Sequence, residues 1–176
     1  ITLNMALHFS KEEFIKRKNK ALNSMKEQNI DILLMFRQES MYWLTGYDTF
    51  GYVFFQTLIL DQKGNTILLT RAPDLRQAQN TSNISDIRIW IDKDESNPTD
   101  DLKLILNELN SKGKKIGIEY EAYGMTGRNA LRLNKSLEDY CEIDDKSELI
   151  SKLRVIKSNE EIIYVKKAAL LADKAL

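Results

Sequence analysis

Apolar residues along the chain recur in two rhythms, one near 3.6 residues and one of two, and each rhythm predicts an element. Phe14, Lys18, Ala21, Leu22 and Met25 follow helical spacing behind Ser10, with Glu13 three residues further on, so residues 11–28 are predicted to form an amphipathic helix opened by a capping box. Its other face, with Lys11, Arg17, Lys18, Lys20 and Lys26, is basic and is read as solvated. Asn29 ends it. Ile30–Phe36 is apolar apart from Asp31, the pattern of a strand buried on both faces. Val53–Leu60 and Thr66–Thr70 flank Asp61–Gly64, which predicts a hairpin. Asp74 is placed to cap a short helix running to Gln79. Ile87, Ile89 and Ile91 alternate with Arg88 and Trp90, a strand with two distinct faces, and acidic Asp92–Asp101 with Pro98 reads as a surface loop. Leu102, Ile105, Leu106 and Leu109 mark a helix closed by Gly113, and Ile116, Ile118 and Tyr120 mark a strand. Ala130, Leu131 and Leu137 carry a helix over residues 126–137 with Leu133 off its stripe, and Cys141 and Ile143 begin a short last strand. The order predicts an α/β domain with one mixed sheet of five or six strands and helices on its faces.

From Lys146 the character changes. Glu148–Ile156 leads into a second capping box, Ser158 to Glu161, and Ile162, Val165, Ala169, Ala172 and Leu176 form one helical stripe. No Gly, Asn or Pro stops this helix. Residues 1–145 are therefore expected to be a domain, and residues 146–176 a linker and the start of a helix leading into a further domain.

Between the first two strands lies RQESMYWLTGYDTFGY, residues 37–52, rich both in aromatics and in turn residues. Met41–Leu44 suits a short helix packed on the sheet. Tyr47–Tyr52 suits a pocket or interface, because Tyr pairs apolar area with a polar tip. Arg37 leaves a strand end, where sheets commonly present functional loops, and its guanidinium can hold a carboxylate by two prongs. The plain alternative is a surface pair with Glu39 or Asp48.

Composition narrows the function. The chain has 176 residues, 43% apolar and 30% charged, with 26 basic and 26 acidic residues, which suits a globular domain and argues against nucleic acid as partner. No apolar run is long enough to cross a bilayer, and the start carries no export signal, so the cytoplasm is the default expectation. The single cysteine, Cys141, reads as a small buried hydrophobe. The single histidine, His8, has no nucleophile partner in the sequence, and neither Asp100 with Asp101 nor Asp144 with Asp145 reads as more than loop charge. No phosphate-binding glycine loop occurs. By its own residues the chain shows no catalytic centre, no metal ligand set and no cofactor site.

Four segments carry a resemblance to a known family. After a helix holding Arg17 and Met25, NIDILLMF is similar to that family's opening "GID-a-L-L" strand. MYWLTGYDTF is similar to its "N-x-x-Y-L-T-G-Y" segment, with Met41 and Trp43 as departures, and KKIGIEYEAYGMT to its "I-G-x-E" strand and loop. The most specific match is ELISKLRVIKSNEEIIYVKKAALLADKAL, which looks like the linker "L-R-x-I-K-S-x-x-E-I-x-x-I-R-x-A". The chain thus resembles the N-terminal domain of the creatinase and prolidase family, the pita-bread metallopeptidase-like hydrolases.

The resemblance implies a ribonuclease-H-like domain of a dimeric, two-domain hydrolase of C–N bonds. In peptidase members it implies two divalent ions (Mn, Co or Zn) on Asp, His and Glu residues of a C-terminal domain, where they polarise the substrate carbonyl and generate hydroxide. Creatinase uses a histidine instead. None of these residues maps onto this chain. The TGY segment is expected near the dimer contact, where one subunit's N-terminal domain helps close the other's active site, and Arg37, Tyr47, Asp48, Phe50 and Tyr52 are the candidates for that role. The expected function is that of a non-catalytic domain of an Xaa-Pro peptidase acting on peptides. The alternatives are the same domain of a creatinase- or ectoine-hydrolase-like enzyme with a small amide substrate, or a stand-alone small-molecule binding module.

Overall fold

The computed structural model of the chain describes residues 7–175. Its frame is one six-stranded sheet in the order β4-β3-β2-β1-β5-β6. The strands are β1 (Ile32–Met35), β2 (Thr57–Asp61), β3 (Thr66–Arg71), β4 (Asp86–Trp90), β5 (Lys115–Ile118) and β6 (Glu142–Asp145). β2 alone runs antiparallel to its neighbours, and the other strands share one direction. The helices are α1 (Lys11–Glu27), α2 (Gln38–Thr45), α3 (Leu75–Thr81), α4 (Pro98–Glu108), α5 (Gly127–Leu137), α6 (Leu149–Val155) and α7 (Asn159–Ala175).

The pleat sends successive side chains of β1 to opposite faces, and both faces are covered. Ile32 and Leu34 join Ile59, Ile116, Leu106 and Leu137 in a core beneath α4 and α5. Leu33 and Met35 join Met25, Met41, Leu44, Ala78 and Ile150 in a core beneath α1, α2, α3 and α6. This double burial explains why β1 reads as an unbroken apolar run. Leu149 and Ile150 lie beyond the expected boundary at residue 145, yet both belong to the second core.

Several elements depart from their sequence reading, each for a local reason. The strand expected from Val53 begins at Thr57. Gly51–Val53 is instead one 3₁₀ turn, and the Phe55 carbonyl accepts from the Trp90 indole at 3.0 Å rather than joining a ladder. Pro98 opens α4 instead of sitting in a loop, since the fixed φ of proline suits the first helical position and Asn97 caps it. Asn110 at φ 52° takes the left-handed turn after α4, with Gly113 left to the turn into β5. Asp74 does not cap α3 with its side chain, which is taken by Arg71 and Thr49. On α5, Leu133 is fully buried and Leu131 is exposed, the reverse of the expected stripe. In β4 it is Trp90 that is buried, while Ile89 and the following Ile91 face outward.

The first capping box is split. Ser10 accepts from the Glu13 amide at 3.1 Å as expected, but the carboxylate on the Ser10 amide belongs to Glu160, at the start of α7. Glu13 turns to Arg17 instead, at 2.9 Å. Arg17 is not part of a solvated face. It is 2% exposed, 4.0 Å from the Phe9 ring centroid, bonded to the Trp43 carbonyl and 3.2 Å from Glu161. The second box closes fully, with Ser158 and Glu161 each serving the other's amide. Beyond it the described residues of α7 are all exposed or half-exposed, Ile162 and Val165 included; Leu176 lies outside the described residues.

Candidate functional site

The chain leaves β1 towards β2 on one side of the sheet and leaves β5 towards β6 on the other. Adjacent parallel strands whose connections depart in opposite directions leave a crevice beyond their carboxyl ends, the usual ligand position in an open α/β sheet. Here that crevice lies between residues 36–39 and residues 119–123.

Glu119 lies beneath it, closed off from the crevice itself. Its amide donates to the Leu34 carbonyl at 3.0 Å, extending the β1–β5 pairing by one residue, and its side chain is fully buried. One carboxylate oxygen accepts from the amides of Phe36 at 3.1 Å and Arg37 at 3.0 Å. The other accepts from the Ser40 hydroxyl at 2.6 Å. Arg37 precedes α2 without any side-chain cap of its own, so an acid from another strand fixes the entry to this helix, on the end where the helix dipole favours an anion. Burial pushes the Glu119 carboxyl up to about 7, against the opposing pull of Ser40 and Arg37.

Arg37 reaches across the crevice. Its Nε donates to the Glu121 carbonyl at 3.0 Å, its Nη2 to the Glu121 carboxylate at 2.7 Å and its Nη1 to the Ser151 hydroxyl at 2.5 Å. The pairing partner is thus Glu121, neither Glu39 nor Asp48, and both prongs of the guanidinium are already in use. Around this pair opens a cleft of about 570 Å³ walled by Phe36, Glu39, Tyr52, Tyr120, Tyr123 and Arg154. The rings of Tyr52 and Tyr123 meet edge to face with centroids 5.5 Å apart. Two glycines make the approach possible. A Cβ on Gly124 would sit 2.2 Å from the Phe54 carbonyl oxygen, and one on Gly51 would sit 2.3 Å from the Asp74 carboxylate. A second hollow of about 370 Å³ adjoins, sharing Gln38, Glu39 and Arg154 and bounded by Phe9, Trp43 and Asp48.

The five expected site residues do not converge. Arg37 and Tyr52 line the cleft, Asp48 lies in the adjoining hollow, and Phe50 stands out at 88% exposure. Tyr47 is a core residue, its hydroxyl donating to Gln56 at 2.8 Å, and burial raises its phenol above the ordinary range. Glu119, Glu121, Tyr123 and Arg154 were not singled out from the sequence as site residues. The signal for Glu119 was a carboxylate directly after a buried alternating strand. Glu121 and Arg154 carry no such mark. Among the described residues no group of three or more His, Cys, Asp and Glu is placed to hold a metal. No described helix is long and apolar enough to cross a membrane.

The family model described as the Creatinase/Prolidase N-terminal domain matches residues 17–156. The chain belongs to the creatinase/prolidase N-terminal domain family.

Relatives agree. An uncharacterized hydrolase/peptidase of Sinorhizobium fredii is 27% identical over 97% of this chain and 45% of its own length. The ectoine hydrolase of Halomonas elongata is 26% identical over 94% of this chain and 43% of its own. Among solved structures, a dipeptidase of Pyrococcus horikoshii aligns at TM-score 0.73 and 26% identity, over 90% of this chain and 42% of that one. The prolidase of Thermococcus sibiricus aligns at 0.77, 23% identical over 94% and 43%, a likeness of fold. The chain thus spans less than half the length of the curated relatives it matches. The cleft at the β1–β5 seam is lined by Phe36 at the end of the NIDILLMF segment, by residues 37–39 and Tyr52 flanking the TGY segment, by residues 120–123 after IGIE, and by Arg154 of the linker segment.

Proposed function

We propose that this chain is the non-catalytic N-terminal domain of a two-domain Xaa-Pro peptidase, a homodimer in which the chain's aromatic projection closes the partner's active site. One observation carries the closing role. Phe50, Tyr52, Val53, Phe54 and Tyr123 are all exposed, Phe50 at 88% and Tyr123 at 78%, in one region bordering the cleft. A cluster of exposed aromatics beside a cleft is expected to meet a partner surface. The domain supplies shape and aromatic cover, and the chemistry, with two divalent ions (Mn, Co or Zn), belongs to the rest of the protein. The cytoplasmic setting expected from the sequence fits this role.

A second assignment is favoured by the Halomonas relative: the same closing role in an ectoine-hydrolase-like enzyme, with a small amide in place of a peptide. Steady-state kinetics of the full-length protein with an Xaa-Pro dipeptide and with ectoine separates the two. In either case Phe50→Ala and Tyr52→Ala should raise KM or lower kcat with the dimer intact. Unchanged kinetics in both variants overturns the closing role. The chain of 176 residues by itself should release no proline from an Xaa-Pro dipeptide with added Mn or Co.

A further inference from the structure

We propose that Glu119 is the positioning residue of the cleft, a proton-operated latch whose carboxylate holds the end of β1 and the start of α2, and with them Arg37, in the geometry described. The inference rests on the cleft assigned above, but it is read at the β1–α2 junction and fails independently of any activity.

Three donors converge on this one buried side chain, all from the five-residue junction between β1 and the first turn of α2: the Phe36 and Arg37 amides and the Ser40 hydroxyl. An ionised carboxylate is an acceptor only, so it satisfies all three. A protonated one must donate from one oxygen. That proton meets the Ser40 hydroxyl, which then has to turn its own hydrogen to another acceptor, while the second oxygen becomes a weaker partner for the two amides. Arg37 feels the change directly, because its amide is held by Glu119 and its guanidinium is anchored on Glu121 and Ser151.

The surrounding elements carry Arg37 and Glu39 on α2, Glu121 beyond β5, Asp145 and Lys146 around the end of β6, and Lys152 and Arg154 on α6. Of these, Arg37 acts on Glu119 and favours its anion, while burial opposes it and brings the carboxyl to about 7. Protonation in the neutral range would therefore switch the junction between two hydrogen-bond patterns.

The test is a pH series of amide ¹H–¹⁵N spectra on the full chain, following Phe36 and Arg37 between about pH 5 and 9. Both amides should move together with one inflection near neutrality. Glu119→Gln should abolish it, because the amide side chain has one fixed pattern. Ser40→Ala should displace the inflection upward, since the serine's hydrogen bond favours the anion. Histidine offers a competing source of such a transition, and His8 touches the Tyr42 hydroxyl of α2 at 2.7 Å. His8→Gln should leave the inflection in place. Amide positions that stay flat in the folded wild-type chain overturn the latch. So does an inflection that survives Glu119→Gln, vanishes with His8→Gln, or is not displaced upward in Ser40→Ala.

Discussion

Ser10 and Glu160, 150 positions apart, share two hydrogen bonds: one carboxylate accepts the Ser10 amide at 3.0 Å and its hydroxyl at 2.6 Å. The start of α7 is thereby fastened to the start of α1. These bonds hold the Glu160 carboxyl below its ordinary value. A depressed carboxyl stabilises the folded form above its unfolded pKa, and the benefit is lost as pH falls through the folded one. The protection of amides in the first two turns of α7, taken relative to their intrinsic exchange rates, should therefore fall in acid, below the ordinary carboxylate range. Glu160→Ala should produce the same loss of protection at neutral pH, and equal protection in the variant contradicts the fastening role.

Arg17 is the neighbouring anchor, buried between Phe9, Phe14 and Trp43 and paired with Glu13 and Glu161. Arg17→Ala leaves Glu13, itself 5% exposed, without its cation and should cost about 3–5 kcal/mol in urea unfolding. Adding Glu13→Leu to Arg17→Met should recover most of that loss, because a buried ion pair replaced by apolar groups is often nearly neutral. A single variant as stable as wild type would show that the pair contributes nothing.

Tyr47 and Phe50 lie three residues apart and should respond in opposite ways. Tyr47 is enclosed in the core, so Tyr47→Ala should destabilise by about 3–5 kcal/mol and Tyr47→Phe by about 1 kcal/mol. Phe50 is 88% exposed, and Phe50→Ala should move stability by no more than about 0.5 kcal/mol. Thermal or urea unfolding of the three variants decides this. A strongly destabilised Phe50→Ala would mean that the projecting ring supports the fold rather than a partner.

Glu119 predicts an unusual slope of stability against pH. Its folded pKa of about 7 stands above the ordinary 4.5, so between these values the folded chain binds more protons than the unfolded one. Stability from this group is complete below about 4.5 and is lost as pH rises through 7, with a total on the order of 3 kcal/mol. Urea midpoints should fall from pH 5 to pH 8 in wild type. In Glu119→Gln that contribution should be absent, and the variant should be the more stable chain at pH 8. A wild type as stable at pH 8 as at pH 5, relative to the variant, excludes this slope.

How far the sequence showed the fold depends on what each residue answers to. Strands and helices whose signal is local were legible: β1 as a doubly buried run, α1 and α7 from caps and spacing, the β2–β3 hairpin from Gly64. What was not legible came from contacts far along the chain. Arg17 looks like one more lysine-like charge until Phe9, Trp43 and Glu161 close round it. Phe54 and Gln56 look like strand until Gly124 packs its backbone against the Phe54 carbonyl and the Trp90 indole donates to that of Phe55. The candidate site was half visible, because Arg37 and Tyr52 announce themselves by residue type at a strand end. Glu119, the buried acid beneath it, acquires meaning only when β5 is laid beside β1, a pairing across more than eighty residues that no local pattern encodes. Tyr47 misled for the same reason: an aromatic next to a turn reads as surface unless its enclosure by distant strands is known.

The split capping box has a mechanical consequence. Among the described residues the polar contacts that hold α7 lie in its first two turns: Ser10 and Arg17 on its glutamates, and the Tyr164 hydroxyl on the His8 carbonyl. Its 17 residues make a rod roughly 25 Å long, so a tilt of about 10° at the held end sweeps the far end through about 4 Å. Small adjustments among three polar contacts are thus magnified along the rod. The direction of α7 is set by residues just before α1 and in its first two turns.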